Sequence, residues 1–254
     1  MPRHKFIKRM RWLLCIAGLP FAVALLGGSA AQTPQLPVRI PSNVAWTEDT
    51  LDIAANGDPF RGLLLARRCE HCHGVEGFSN NLSIPNLASV DKLVIYKQLD
   101  DFRSHKRPVA VMQEIAASLS PRDSADLAAY FSMLPTTPDR GDKRVYPQPA
   151  PDPAHVRVAA RLIASGDPQR GLPACDVCHG PIAVVRGAPL LTYQNRDYLL
   201  HQLDGFATGT RANDINVRMR SIAGMLTEDE RGALADYYGS GLGTVFLGPP
   251  YNIE

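Results

Sequence analysis

One five-residue pattern constrains this chain more than any other feature, because it occurs twice: Cys69-Glu70-His71-Cys72-His73 and Cys175-Asp176-Val177-Cys178-His179. Cys-x-x-Cys-His is the attachment signature of a c-type haem. Two sulfurs at this spacing reach two vinyl groups along one edge of a porphyrin and form thioethers. The next histidine then stands where the iron needs a proximal nitrogen. Zinc sites and redox disulfides also use Cys-x-x-Cys pairs, but neither explains a histidine directly after both. The pattern implies two haem c groups, held through Cys69, Cys72, Cys175 and Cys178, with His73 and His179 as axial ligands of the irons. The fifth cysteine, Cys15, lies apart in an N-terminal apolar run.

The two motifs sit in two copies of a longer unit. Gly57-Asp58-Pro59-Phe60-Arg61-Gly62 matches Gly166-Asp167-Pro168-Gln169-Arg170-Gly171 ahead of each motif. Behind them, Pro85 matches Pro189, Gln98-Leu99-Asp100-Asp101-Phe102 matches Gln202-Leu203-Asp204-Gly205-Phe206, and Arg107 matches Arg211. Met112 then matches Met219, and Leu127 to Phe131 matches Leu234 to Tyr238.

Every strong periodicity is helical. Asp58 and Asp167 are N-cap residues with proline at the first helical position. Ser120 to Asp123 and Thr227 to Glu230 read as capped helix starts. Leu93, Tyr96, Leu99 and Phe102 mark a buried face, repeated by Leu199, Leu203 and Phe206. Pro173 predicts that the helix approaching the second motif stops early. The expected fold is all-α, with domains at 46–134 and 155–240. A connector at 135–154 contains six prolines within 135–153, and a Gly/Pro-rich tail occupies 241–254.

Residues 1–31 carry Arg3, Lys5, Lys8, Arg9 and Arg11, then an apolar run from Trp12 to Leu26, then Gly28-Ser29-Ala30-Ala31. That layout is a secretory signal with cleavage after Ala31, which places the protein in the periplasm; retained, the same segment would be an anchor. Pro-rich residues 32–45 read as extended. The whole chain has 27 Lys+Arg against 25 Asp+Glu; without the five basic residues of the leader it keeps 22 against 25, net −3. That balance argues against a nucleic-acid partner.

The second axial ligand separates a carrier from a catalyst, since a vacant iron can bind substrate. The first unit offers Met112, Met133 and His105, and the second offers Met219, Met225 and His201. Only Met112 and Met219 recur at the same place, each seven residues before a matched leucine (Leu119, Leu226). A thioether ligand raises the haem potential, because soft sulfur favours ferrous iron. His71 reads as solvent-facing, and His155 falls at the end of the connector. Arg107 and Arg211 read either as partners of haem propionates or as surface salt bridges.

Taken together, tandem Cys-x-x-Cys-His-Gly units with a proline-leucine segment, a Gln-Leu-x-x-Phe helix and a late methionine resemble the dihaem cytochrome c4 family, built from two class I cytochrome c domains. The likeness covers roughly residues 55–134 and 160–240. It is closest at Gly187-Ala188-Pro189-Leu190-Leu191 and Asp197 to Leu203. The resemblance implies iron ligation by His73 with Met112 and by His179 with Met219. It also implies that the carbonyls of Pro85 and Pro189 accept from each proximal histidine's other nitrogen. The glycine-glutamine pair usual after the proline-leucine segment is replaced by Ala88-Ser89-Val90 in the first unit, and only Gln194 of it remains in the second.

The resulting expectation is an exported carrier passing single electrons between redox protein partners, toward a terminal oxidase, with no substrate chemistry of its own. Two other readings use the same residues. One is a cytochrome subunit held by a periplasmic dehydrogenase or oxidase. The other is a dihaem peroxidase, which needs an open iron.

Overall fold

The computed structural model describes residues 46–136, 150–180 and 185–242; the leader at 1–31, the stretch at 32–45, most of the connector and most of the tail lie outside them. The first half contains α1 (Glu48–Ala55), α2 (Pro59–Ala66), α3 (Glu70–His73), α4 (Lys92–Arg103), α5 (Ala110–Ala117) and α6 (Pro121–Met133). The second contains α7 (Pro153–Ser165), α8 (Asp176–His179), α9 (Arg196–Thr208), α10 (Arg218–Ala223) and α11 (Glu228–Gly239). Helix α7 begins at Pro153, inside the stretch read from sequence as connector. The only β-pairing among the described residues is an isolated bridge between Asp167 and Leu172.

The helix starts follow local chemistry. Asp58 Oδ1 accepts from the amides of Phe60 and Arg61 at the head of α2. Ser120 with Asp123, and Thr227 with Glu230, close reciprocal capping boxes on α6 and α11. Each half then buries its own apolar cluster. Ile95, Leu127 and Phe131 are central in the first, and Leu162, Leu199 and Leu234 in the second.

Matched sequence does not give matched helices everywhere. Gly57 to Gly62 leads into the eight-residue α2, whereas Gly166 to Gly171 makes a single 3-10 turn, Pro168–Arg170, closed by the Asp167–Leu172 bridge. Gly171 takes a left-handed turn and Pro173 cannot continue a helix, so the second motif is reached by non-helical chain. As a result the partner packed along the last helix differs: α2 lies on α6, and α7 lies on α11.

The α2–α6 crossing depends on Gly62. A Cβ there would stand 2.0 Å from Asp126 O and 2.7 Å from Tyr130 Cβ. Gly62→Ala must therefore push the helices apart. It is expected to lower the unfolding free energy by about 3 kcal/mol, measured by chemical denaturation; a loss below about 1 kcal/mol would mean the crossing is soft.

Helix α4 is buried over a wider arc than its apolar period predicts. Tyr96 and Phe102 are in the core and Leu93 and Leu99 are half-buried against it, as expected. The opposite side, carrying Lys97 and Asp101, is buried as well, because it faces the second half of the molecule.

Candidate metal centres

The short helices α3 and α8 hold the two motifs in one geometry. His73 N and His179 N each donate 2.9 Å to the carbonyl of the first cysteine four residues back, Cys69 and Cys175. This tight turn leaves both thiols and the histidine ring on a single short segment. His73 Nδ1 lies 2.9 Å from Pro85 O, and His179 Nδ1 lies 2.7 Å from Pro189 O. The carbonyl fixes the proton on Nδ1 and turns Nε2 toward a metal. Burial holds both rings below the ordinary imidazole value, so they stay neutral, as ligation requires.

No disulfide joins any of the four motif cysteines. Burial pushes the thiols of Cys69 and Cys175 up to about 11. Among the described residues, no three His, Cys, Asp or Glu side chains gather as a zinc site would need.

Met112 and Met219 are half-buried on the matched helices α5 and α10. The other candidates are placed differently. Met133 is 72% exposed, His105 and His201 are exposed, and Met225 packs against the second apolar cluster. His71 faces solvent, as the sequence suggests. His155 belongs to α7, where Nδ1 meets Asp236 Oδ2 at 2.5 Å.

Ser89 and Tyr193, where the glycine of the usual pair would stand, both adopt left-handed backbone, with φ of 59° and 61°. Each amide donates 2.9 Å to the last helix, Ser89 N to Phe131 O and Tyr193 N to Tyr238 O. The glycine conformation is kept without glycine.

Arg107 and Arg211 make neither of the surface salt bridges considered from sequence. They lie at the seam between the halves, stacked on Phe102 and Phe206 with the guanidinium carbon 4.7 and 4.3 Å from the ring centres. Gln98 Oε1 accepts from Arg107 at 2.9 Å and from Arg211 at 3.2 Å. Gln202 Oε1 accepts from the same two at 2.7 and 2.8 Å. Tyr198 OH takes another Arg107 bond at 3.1 Å. Beside them Lys97 pairs with Asp101 and donates 2.6 Å to Asn213 O, while Asn213 Nδ2 donates 2.6 Å to Asp101 Oδ2. No local pattern marks these residues as interfacial; only the repeated Gln and Arg positions hint that they act together.

The seam therefore gathers three cations (Lys97, Arg107, Arg211) near Asp101, while the neighbouring carboxylate, Asp214, is already paired with Arg220; Arg107 Nε is buried without a partner. A cofactor bringing carboxylates suits that surplus. The cysteines outside any disulfide and the neutral histidines, each held through Nδ1, suit a haem equally well, so the residues present fit the group that the motifs imply.

No protein-family model matches the chain. It is 38% identical over 176 residues to a thiosulfate dehydrogenase electron acceptor of Stutzerimonas stutzeri, covering 68% of this chain and 78% of that protein. It is 34% identical over 187 residues to cytochrome c4 of Pseudomonas aeruginosa, covering 72% and 88%. The chain belongs to the dihaem cytochrome c4 family. The fold agrees: the crystal structure of reduced cytochrome c4 from Pseudomonas stutzeri superposes with a TM-score of 0.64 at 31% identity, over 72% of this chain and 98% of that one. A thiosulfate dehydrogenase from Marichromatium purpuratum matches with a TM-score of 0.61 at 34% identity, over 71% of this chain and 40% of that one. As a cytochrome c4 relative, the protein is all-α with two c-type cytochrome domains, carries two covalently bound haem c groups and transfers electrons without substrate chemistry of its own. Among the described residues no helix is long and apolar enough to cross a membrane.

Proposed function

We propose that this protein is a periplasmic carrier that accepts single electrons from a separate dehydrogenase and passes them on toward a terminal oxidase. Its irons would be held by His73 with Met112 and by His179 with Met219. The observation that carries the donor assignment is the 38% identity to a thiosulfate dehydrogenase electron acceptor. The leader-like layout of residues 1–31 supports export. The half-buried Met112 and Met219, against exposed Met133, His105 and His201, support the ligand choice.

The haems supply one-electron oxidation and reduction of iron. The chain's own residues do the rest. Pro85 and Pro189 orient the histidines. Met112 and Met219 would each hold the iron through sulfur, which favours the ferrous state. The cationic seam would suit the carboxylates that such a group brings.

A second reading is favoured by the match within the longer thiosulfate dehydrogenase chain, of which this chain covers 40%. There the protein would be a permanently bound subunit of its donor. Stopped-flow mixing of the oxidised protein with thiosulfate dehydrogenase and thiosulfate, followed by gel filtration, separates the two. Uptake of two electrons per chain with separate elution supports the carrier; co-elution supports the subunit; no reduction removes this donor.

Ligation is tested by spectra. The unmutated protein is expected to show a methionine–iron charge-transfer band at both haems and no carbon monoxide binding when reduced. Met112→Ala and Met219→Ala should each lose half of the band and let carbon monoxide onto one haem. Carbon monoxide binding by the unmutated protein would instead mean an open iron and reinstate peroxidase-type chemistry.

A further inference from the structure

We propose that Trp46, a residue of the first domain's N-terminal segment, forms the rim of the second haem site and raises that haem's potential by keeping water from it. Trp46 directly precedes Thr47, whose side chain caps α1 by accepting from Thr50 N at 3.1 Å, and α1 packs on α6 and α4 in the first domain. The indole nevertheless reaches the second domain. A Cβ on Gly187 would stand 2.9 Å from Trp46 Cζ2, 3.6 Å from Trp46 Cε2 and 3.2 Å from Ile215 Cδ1. The benzo edge of the indole is thus seated on Gly187 beside Ile215.

Those two neighbours lie on the segments that carry Pro189 and Met219, the supports proposed for the second haem. Gly187 is two residues before Pro189, whose carbonyl holds His179. Ile215 opens the 3-10 turn that leads directly into α10 and Met219. An indole placed against Gly187, beside Ile215, therefore stands next to both of these segments. Gly187 has φ of +83° as well as no room for a Cβ, so backbone and indole both require glycine there. A ring that covers the edge of a haem lowers the local dielectric, which disfavours the more highly charged ferric state.

The inference rests on His179 and Met219 being the axial pair, so its test must not depend on that ligation alone. The chain contains two tryptophans, Trp12 and Trp46, and a Trp12→Phe background leaves Trp46 as the sole indole. In the reduced holoprotein, nuclear Overhauser contacts are expected from the indole protons to the haem bonded to Cys175 and Cys178, and not to the haem on Cys69 and Cys72. Haem-resolved redox titration of Trp46→Ala is expected to lower the midpoint of the former haem only. Trp46→Phe should restore at least half of that shift, and Gly187→Ala, which displaces the indole, should reproduce it. Absent Overhauser contacts, unchanged potentials, or equal shifts at both haems would each overturn the proposal. If Met219→Ala left the full methionine–iron band while the Overhauser contacts were present, the ligand assignment would fall and the rim would stand.

Discussion

Lys97→Met is expected to cost about 3–5 kcal/mol of stability, read from guanidinium unfolding of the holoprotein, because it removes the cation in direct contact with a carboxylate that has no access to water. The Asp101 side chain is 0% exposed and that of Lys97 is 3% exposed. After the substitution Asp101 would keep one charge-neutral partner, Asn213 Nδ2 at 2.6 Å, while its Oδ1 is already without a bond. Burial pulls the lysine below its ordinary value, and the adjacent Asp101 carboxylate works against that pull. The charged pair is therefore a compensated cost, not a strong net gain. Removing both charges, in Lys97→Met with Asp101→Leu, should recover more than half of the loss. A single-variant loss below about 1 kcal/mol would show that water reaches the pair.

Arg220→Ala is expected to cost a similar amount, about 3–5 kcal/mol, and to add a local optical change. Arg220 and Asp214 are both buried, joined at 2.6 Å from Nε to Oδ1 and at 3.0 Å from the Arg220 amide to Oδ2. Between them the chain turns through Asn216 and Val217, both in left-handed backbone, with φ of 54° and 60°. A β-branched residue in that region is strained, by about 1–3 kcal/mol, and persists only where its surroundings hold it. The Arg220–Asp214 pair closes the loop around this strain, and Met219 lies inside the loop. Its removal should free the turn. Half of the methionine–iron band should disappear near neutral pH while the half from the first haem stays. An unchanged band alongside the full stability loss would show that the pair supports the domain but not the ligand.

Much of this architecture could be read from residue types alone because the signals were local. A Cys-x-x-Cys-His segment needs only one tight turn to present its thiols and ring. The capping boxes at Ser120 and Thr227 satisfy their own backbone amides, and Pro173 stops a helix by its own ring. The unreadable parts all depend on the other domain. Lys97 and Asp101 stand four residues apart, the spacing of an ordinary solvent-facing helix pair, and only the partner surface makes them interior. Arg107 and Arg211 look like loop cations until the seam brings Gln98 and Gln202 between them. Trp46 lies upstream of the recognised repeat and has no matched residue to suggest a role. The left-handed Ser89 and Tyr193 are a different case: the missing glycine was visible, but not that another side chain would accept its conformation.

The loop that supports the first histidine has a further consequence. Asn86 N donates 2.7 Å to Gln194 Oε1, Gln194 Nε2 donates 2.9 Å back to Asn86 O, and Tyr198 N donates 2.9 Å to Leu82 O. Asn195 Nδ2 meets the carbonyls of Asn81 and Ile84 at 3.1 and 2.6 Å. Pro85, the orienting residue, lies within that span. If the two halves began as copies of one free-standing ancestor, the first has since come to lean on the second. Taking the second copy away would strip the first of the clasp around its own proximal loop.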